Sequence, residues 1–191
     1  MQLSTSVFTQ VTTWVNLNQP SYLRGIELDW QTHFWYLPSF LSGIVFNVNY
    51  THIKSEAHYP FQEKVKVGMF GSRYVDTTRS GRLIDQPNDI VNLTIGYDIG
   101  GFSARLSFQY TDNILISSDQ QQQELDKYTG AYSRWDFTAY QKLPWLAGLQ
   151  VYLNVNNITD RPDRQYNSVL EKLADVQYYG RTADLGVRYS F

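Results

Sequence analysis

Strict two-residue alternation recurs along this chain, and it restricts the fold more than any other feature. Alternation of apolar and polar side chains is the mark of a strand with two unlike faces. Ile26, Leu28, Trp30 and Phe34 share one face, and Glu27, Asp29, Gln31 and His33 the other. The same pattern runs through 44–51, where Ile44, Phe46, Val48 and Tyr50 oppose Val45, Asn47, Asn49 and Thr51. It returns at 91–99 (Val91 to Ile99) and at 102–111, with Phe102, Ala104, Leu106, Phe108 and Tyr110 in phase. Trp135, Phe137 and Ala139 form a further apolar set, followed by Leu149, Val151, Leu153 and Val155. The last runs from Ala183 through Leu185, Val187 and Tyr189 to Phe191. With a weaker candidate at 7–15, the count is about eight strands and no helix.

The connections alternate in length. Gly100-Gly101 is a tight hairpin signal, and 36–41 and 143–147 are also short. Long polar stretches lie between them at 54–88, 113–131 and 158–180. Short turns at one end and long loops at the other suit a transmembrane β-barrel, with the long loops outside the cell. The aromatics agree. The chain holds 15 Tyr, 10 Phe and 5 Trp, and Trp30, Phe34, Trp35, Tyr36 and Trp145 gather at the short turns, as a boundary girdle requires. No apolar run reaches the ~18 residues of a transmembrane helix, which a barrel does not need. A net charge of −2 offers no basic surface for nucleic acid, and the absence of cysteine excludes disulfides and thiolate metal sites.

Four segments narrow the class. The last ten residues, 182–191, resemble the terminal strand of outer-membrane proteins, with Ala183, Leu185, Val187, Tyr189 and Phe191 at alternate positions. In that family this strand is the signal for the barrel-assembly machinery. The run 153–160, containing Asn157, Thr159 and Asp160, resembles the penultimate-strand motif of TonB-dependent receptors. Tyr179-Gly180-Arg181-Thr182 resembles the step that opens their final strand, and Gly25-Ile26-Glu27 a strand found several strands upstream. The resemblance implies an all-β antiparallel barrel segment in the bacterial outer membrane, about the last third of a ~22-stranded barrel. It implies a lipid bilayer around the wall, a TonB complex acting through a plug, and uptake of a scarce nutrient of the siderophore, cobalamin or glycan class. A plug-like segment, a coupling motif and a signal peptide are not recognisable, so the chain reads as a receptor fragment.

Other chemistry is sparse. His33, His52 and His58 have no ligand-like spacing, and neither metal, cofactor nor catalytic group is expected. Glu27 and Asp29 sit on one strand face and read as a hydrated pair. The sequons Asn92-Leu93-Thr94 and Asn157-Ile158-Thr159 read as accidental, and Gln120 to Gln123 as a solvated loop tip. By length and by its aromatic and arginine content, 54–88 is the candidate ligand loop, with Arg73, Tyr74, Arg79 and Arg82 foremost. Two other readings fit the alternation: a complete small eight-stranded outer-membrane barrel, and a soluble ligand-binding barrel with an apolar interior. An outer-membrane enzyme lacks a recognisable catalytic set.

Overall fold

The computed structural model describes residues 19–167 and 172–190. The candidate strand at 7–15 and the terminal Phe191 lie outside the described residues. Each remaining alternating segment is a strand: β1 (Tyr22–His33), β2 (Ile44–Val67), β4 (Asp89–Ile99), β5 (Phe102–Thr111), β8 (Tyr132–Lys142), β9 (Leu149–Asn156) and β12 (Thr182–Tyr189). They lie side by side in the order β1-β2-β4-β5-β8-β9-β12, every neighbour antiparallel. The helical elements among the described residues are two short 3-10 turns, Ser39–Gly43 and Gln123–Leu125.

The registers turn the one-dimensional alternation into two sheet faces. Thr32 stands opposite Phe46, Phe46 opposite Ile95, Ile95 opposite Leu106, Leu106 opposite Phe137, Phe137 opposite Val155, and Val155 opposite Ala183. Directly opposed residues share a face, so this row crosses all seven strands. The next row is polar: Gln31, Asn47, Thr94, Ser107 and Asp136. A slip of one residue at any pair would mix the faces.

Among the described residues, none covers the apolar face. The buried hydrophobic residues are Ala57 and Leu115, both outside the seven-strand rows. Leu28 is 60% exposed, Ile95 49% and Leu185 78%. A soluble barrel would keep these side chains inside, and the described residues have no such interior. From Val91 to Ile99 the apolar band extends for about 27 Å along the strand. Tilted by about 40°, it spans roughly the hydrocarbon band of an outer-membrane barrel wall. Strand pairing meanwhile occupies the backbone donors and acceptors that hydrocarbon cannot solvate.

The short turns between neighbouring strands of the seven-strand sheet all fall at one end. Gly100 and Gly101 both take left-handed φ (55° and 83°) and close β4 to β5. Trp35, Tyr36, Phe40 and Trp145 stand exposed at this level, and the Trp35 and Tyr36 rings meet edge to face at 5.9 Å. On the polar face, Arg105 donates to both Asp98 oxygens (2.8 and 2.6 Å) and lies across Gly96. A Cβ at residue 96 would stand 2.5 Å from the Arg105 Cδ, so the absent side chain makes room for this ion pair. β1 and β12 are the two edges and do not pair with each other, which leaves the described sheet open rather than a closed eight-stranded barrel.

The opposite end differs from the expected loops. β2 continues to Val67, turns over Gly68, and returns as β3 (Gly71–Gly81), pairing from Ala57↔Gly81 to Val67↔Gly71. The stretches 113–131 and 158–180 hold β6 (Ile114–Ser117), β7 (Lys127–Thr129), β10 (Asp163–Asn167) and β11 (Lys172–Gln177). These four form a separate sheet in the order β11-β10-β7-β6. Beyond the apolar band both faces can be wet, so the two-residue hydropathy signal disappears although the strands persist.

The face assignment predicts an asymmetry. Ile95→Arg, near the middle of the apolar band, should destabilise the protein in lipid vesicles by about 2–4 kcal/mol. Thr94→Arg, one residue away on the polar face, should change stability far less. Denaturant midpoints followed by tryptophan fluorescence would test this, and equal losses for the two variants would overturn the assignment.

Candidate functional site

The outer end is a folded platform held by side chains from distant segments. Arg79 on β3 donates to the carboxylate of Asp126 and to Ser118 Oγ at 2.7 Å. Asp126 is 1% exposed, and it also accepts the Asp119 backbone N–H at 2.8 Å. The Arg79 guanidinium lies 5.6 Å from the Phe61 ring centroid. Arg82 repeats the arrangement, hydrogen-bonded to Asn113 and 5.1 Å from the Tyr128 ring centroid. The Tyr59 hydroxyl donates to Arg82 O (2.8 Å) and accepts from Ile84 N (3.1 Å). Burial of this phenol pushes its pKa up. Two arginines expected at a ligand are thus engaged in joining the β2–β3 hairpin to 112–128. Arg73 and Tyr74, opposite Val65 and Lys64 farther out on the hairpin, are exposed.

Gln120 to Gln123 are exposed, and Gln120 and Gln121 are tied back to the hairpin. The Gln120 carbonyl accepts from Gln62 N (2.6 Å), and Gln121 Nε2 donates to Gln62 Oε1 (2.8 Å). The Asp119 carboxylate accepts the backbone N–H groups of Gln121 and Gln122, both at 2.8 Å. These two bonds, Gln121 first, hold its pKa below the usual carboxylate range. The stabilisation is present above the ordinary aspartate pKa and is lost as pH falls through the lowered one.

The family-like motifs take structural positions. Asn157 adopts φ 54°, a left-handed conformation that asparagine tolerates. Its Nδ2 donates to Gly180 O (3.0 Å) and Arg161 O (3.3 Å), and its Oδ1 accepts from Arg161 N (2.9 Å). Its own N–H donates to Asp136 Oδ1 at 2.9 Å, and Asp136 also accepts from Arg134 Nε at 2.9 Å. The Asn157 side chain therefore ties the end of β9 to the start of β12, and its backbone N–H ties it to the polar face. Thr159 and Asp160 are exposed beside it, and Asp160 N closes the turn on Asn157 O at 2.8 Å. Arg181 is exposed. Gly25 lets β1 approach the His52 carbonyl, where a Cβ would come within 2.5 Å, and Glu27 accepts from Asn49 Nδ2 at 3.3 Å. Ala183, Leu185, Val187 and Tyr189 fall on the apolar face, opposite Val155, Leu153, Val151 and Leu149.

Sequence reasoning missed a cleft of about 430 Å³ beneath the outer sheet. Asp163 stands opposite Gln177, and Gln165 opposite both Asp175 and Thr129, so these residues share one lining face. Carboxylates, carboxamides and a hydroxyl there can hydrogen-bond a polar ligand. The residues come from segments that are separated in the chain and individually unremarkable, so no local pattern marked them. Among the described residues no group of His, Asp and Glu side chains is placed to hold a metal ion.

Two variants test this architecture. Arg79→Ala strands the buried Asp126 carboxylate and should cost about 3 kcal/mol locally, read as about hundredfold faster amide exchange in β3 with β4 and β5 unchanged. Unaltered exchange in β3 would rule out the latch. Asn157→Ala should be about 1 kcal/mol worse than Asn157→Gly, since both lose the side-chain bonds but only alanine adds left-handed strain; thermal unfolding of the two variants measures the difference.

A family model described as TonB dependent receptor-like, beta-barrel matches residues 2–158. The fold is similar to the crystal structure of the siderophore receptor PiuA from Acinetobacter baumannii, with a TM-score of 0.60 at 18% identity. That match covers 88% of this chain and 22% of the receptor, so the chain spans about a fifth of the receptor's length. No curated protein sequence matches the chain. The seven-strand sheet with one apolar and one polar face is the wall that such a barrel requires, and the chain belongs to the family of TonB-dependent receptor-like β-barrels.

Proposed function

We propose that this chain forms wall and extracellular platform of an outer-membrane receptor that binds a scarce nutrient outside the cell and passes it inward. In this reading the chain is the C-terminal third of a ~22-stranded barrel, and the TonB complex supplies energy through a plug domain. The observation that carries it is the division of the sheet: an apolar face suited to hydrocarbon, a polar face suited to a wet lumen, and a folded platform above one end. The role is transport rather than catalysis. β12 carries Ala183, Leu185, Val187 and Tyr189 of the assembly signal whose last residue is Phe191, to be read by the barrel-assembly machinery at an open sheet edge.

The name of the similar receptor makes a ferric siderophore the first ligand class to test. Arg73 and Tyr74 are the ligand candidates of the hairpin, since Arg79 and Arg82 are engaged internally. In cells depending on the receptor that contains this chain, uptake of radiolabelled iron from a ferric siderophore should require an intact TonB complex. Arg73→Ala with Tyr74→Ala should raise half-saturation about tenfold, equivalent to about 1.4 kcal/mol of binding, without changing the amount of receptor. Uptake that continues without TonB would sink the transport reading. Saturable uptake of cobalamin or an oligosaccharide instead would move the ligand class.

A further inference from the structure

The outward face carries a cationic pair just above its apolar band. On β1 the apolar row Trp30, Leu28, Ile26 continues to Arg24 and Tyr22; on β2 the row Val48, Tyr50 continues to His52, Lys54 and Glu56. The β1–β2 register runs unbroken from His33↔Val45 to Tyr22↔Glu56, so these residues stay on the bilayer side, and Arg24 stands directly opposite Lys54. Like charges directly opposed across strands repel. Among the described residues neither cation has an ion-pair or hydrogen-bond partner that would offset this repulsion. Glu56 faces the same side but forms no ion pair with either. His52, one position nearer the apolar band, is hydrogen-bonded to Asp89 (2.8 Å), which also accepts from Tyr50. Tyr22, Leu23, Arg24, Lys54, Ser55 and Glu56 line a cleft of about 340 Å³ at this edge. Ser55 Oγ accepts from Leu83 N (3.0 Å) in the platform.

We propose that Arg24 and Lys54 bind the phosphate of an anionic lipid headgroup in the outer leaflet. The height is that of a headgroup: the pair lies immediately beyond Ile26 and Tyr50, at the end away from the short turns. A phosphate between the two side chains converts their repulsion into two charge-assisted contacts, while the lipid's acyl chains lie along Ile26, Leu28 and Trp30. Free phosphate gains only the first of these interactions. The inference rests on the membrane-wall reading above.

The test uses the protein with the whole chain its gene encodes, reconstituted in phosphatidylcholine vesicles and titrated with phosphatidic acid, bound lipid being measured by native mass spectrometry after detergent release. Each cation near an anionic headgroup contributes about fivefold in affinity. Lys54→Gln should therefore lose about fivefold and Arg24→Gln with Lys54→Gln about 25-fold. Lys54→Arg should retain binding, and Lys66→Gln, on the exposed hairpin, should be silent. Undiminished binding by the double variant would overturn the proposal. So would displacement of the lipid by millimolar inorganic phosphate, which would mark a free-anion site. Brominated phosphatidylcholine provides the separate check on the wall reading. If it fails to quench tryptophan fluorescence, both readings fall; if it quenches while the double variant binds normally, only the lipid site falls.

Discussion

The structure depends on one constraint: a backbone beside hydrocarbon must satisfy its hydrogen bonds internally while presenting only apolar side chains outward. Seven antiparallel strands meet both demands at once. Strand pairing takes up the N–H and C=O groups, and a two-residue side-chain period sends every polar group to the opposite face. The consequence is a sheet without a core in the ordinary sense. Leu28, Ile95 and Leu185 would be liabilities on a water-soluble protein, yet here they are the surface that holds the wall in place. Polar contacts on the other face, such as Arg105 with Asp98 across Gly96, stiffen the same strands from the wet side.

Above the band the constraint lifts and different forces take over. The β2–β3 hairpin and the β11-β10-β7-β6 sheet are joined by buried or half-buried polar latches, and the buried hydrophobic residues Ala57 and Leu115 lie in this region too. A buried carboxylate with an arginine and a backbone amide as partners specifies one arrangement of loops, because any other leaves Asp126 charged and unsatisfied. Asn157 does the same at the junction of β9, the outer loop and β12. The residues that most resemble a family signature therefore position the loops. Arg73 and Tyr74 stay exposed outside these latches.

The membrane boundary links the two regimes. On the bilayer side the apolar rows end at His52, Lys54 and Arg24, and the strands then continue into water as the platform. β2 runs through the whole transition without a break, from Ile44 at the short-turn end to Val67 at the hairpin tip.

How much was legible in the chain itself follows from where the periodicity had a physical cause. Between Ile26 and Val187, wherever one face meets hydrocarbon, the two-residue pattern located the strands, their faces and the short turns between them. Where both faces are wet, hydropathy carries no period, so 54–88 read as a loop although most of it is the upper part of β2 and β3. The individual arginines were visible, but not their employment. Arg79 differs from Arg73 only because the fold brings Asp126, 47 residues away, to one of them. The sequence by itself determined a barrel wall, its topology and its family, since these depend on local alternation and turn chemistry. The latches, the cleft and the unpaired cations were decided only by tertiary structure, because each depends on register between segments that share no local pattern.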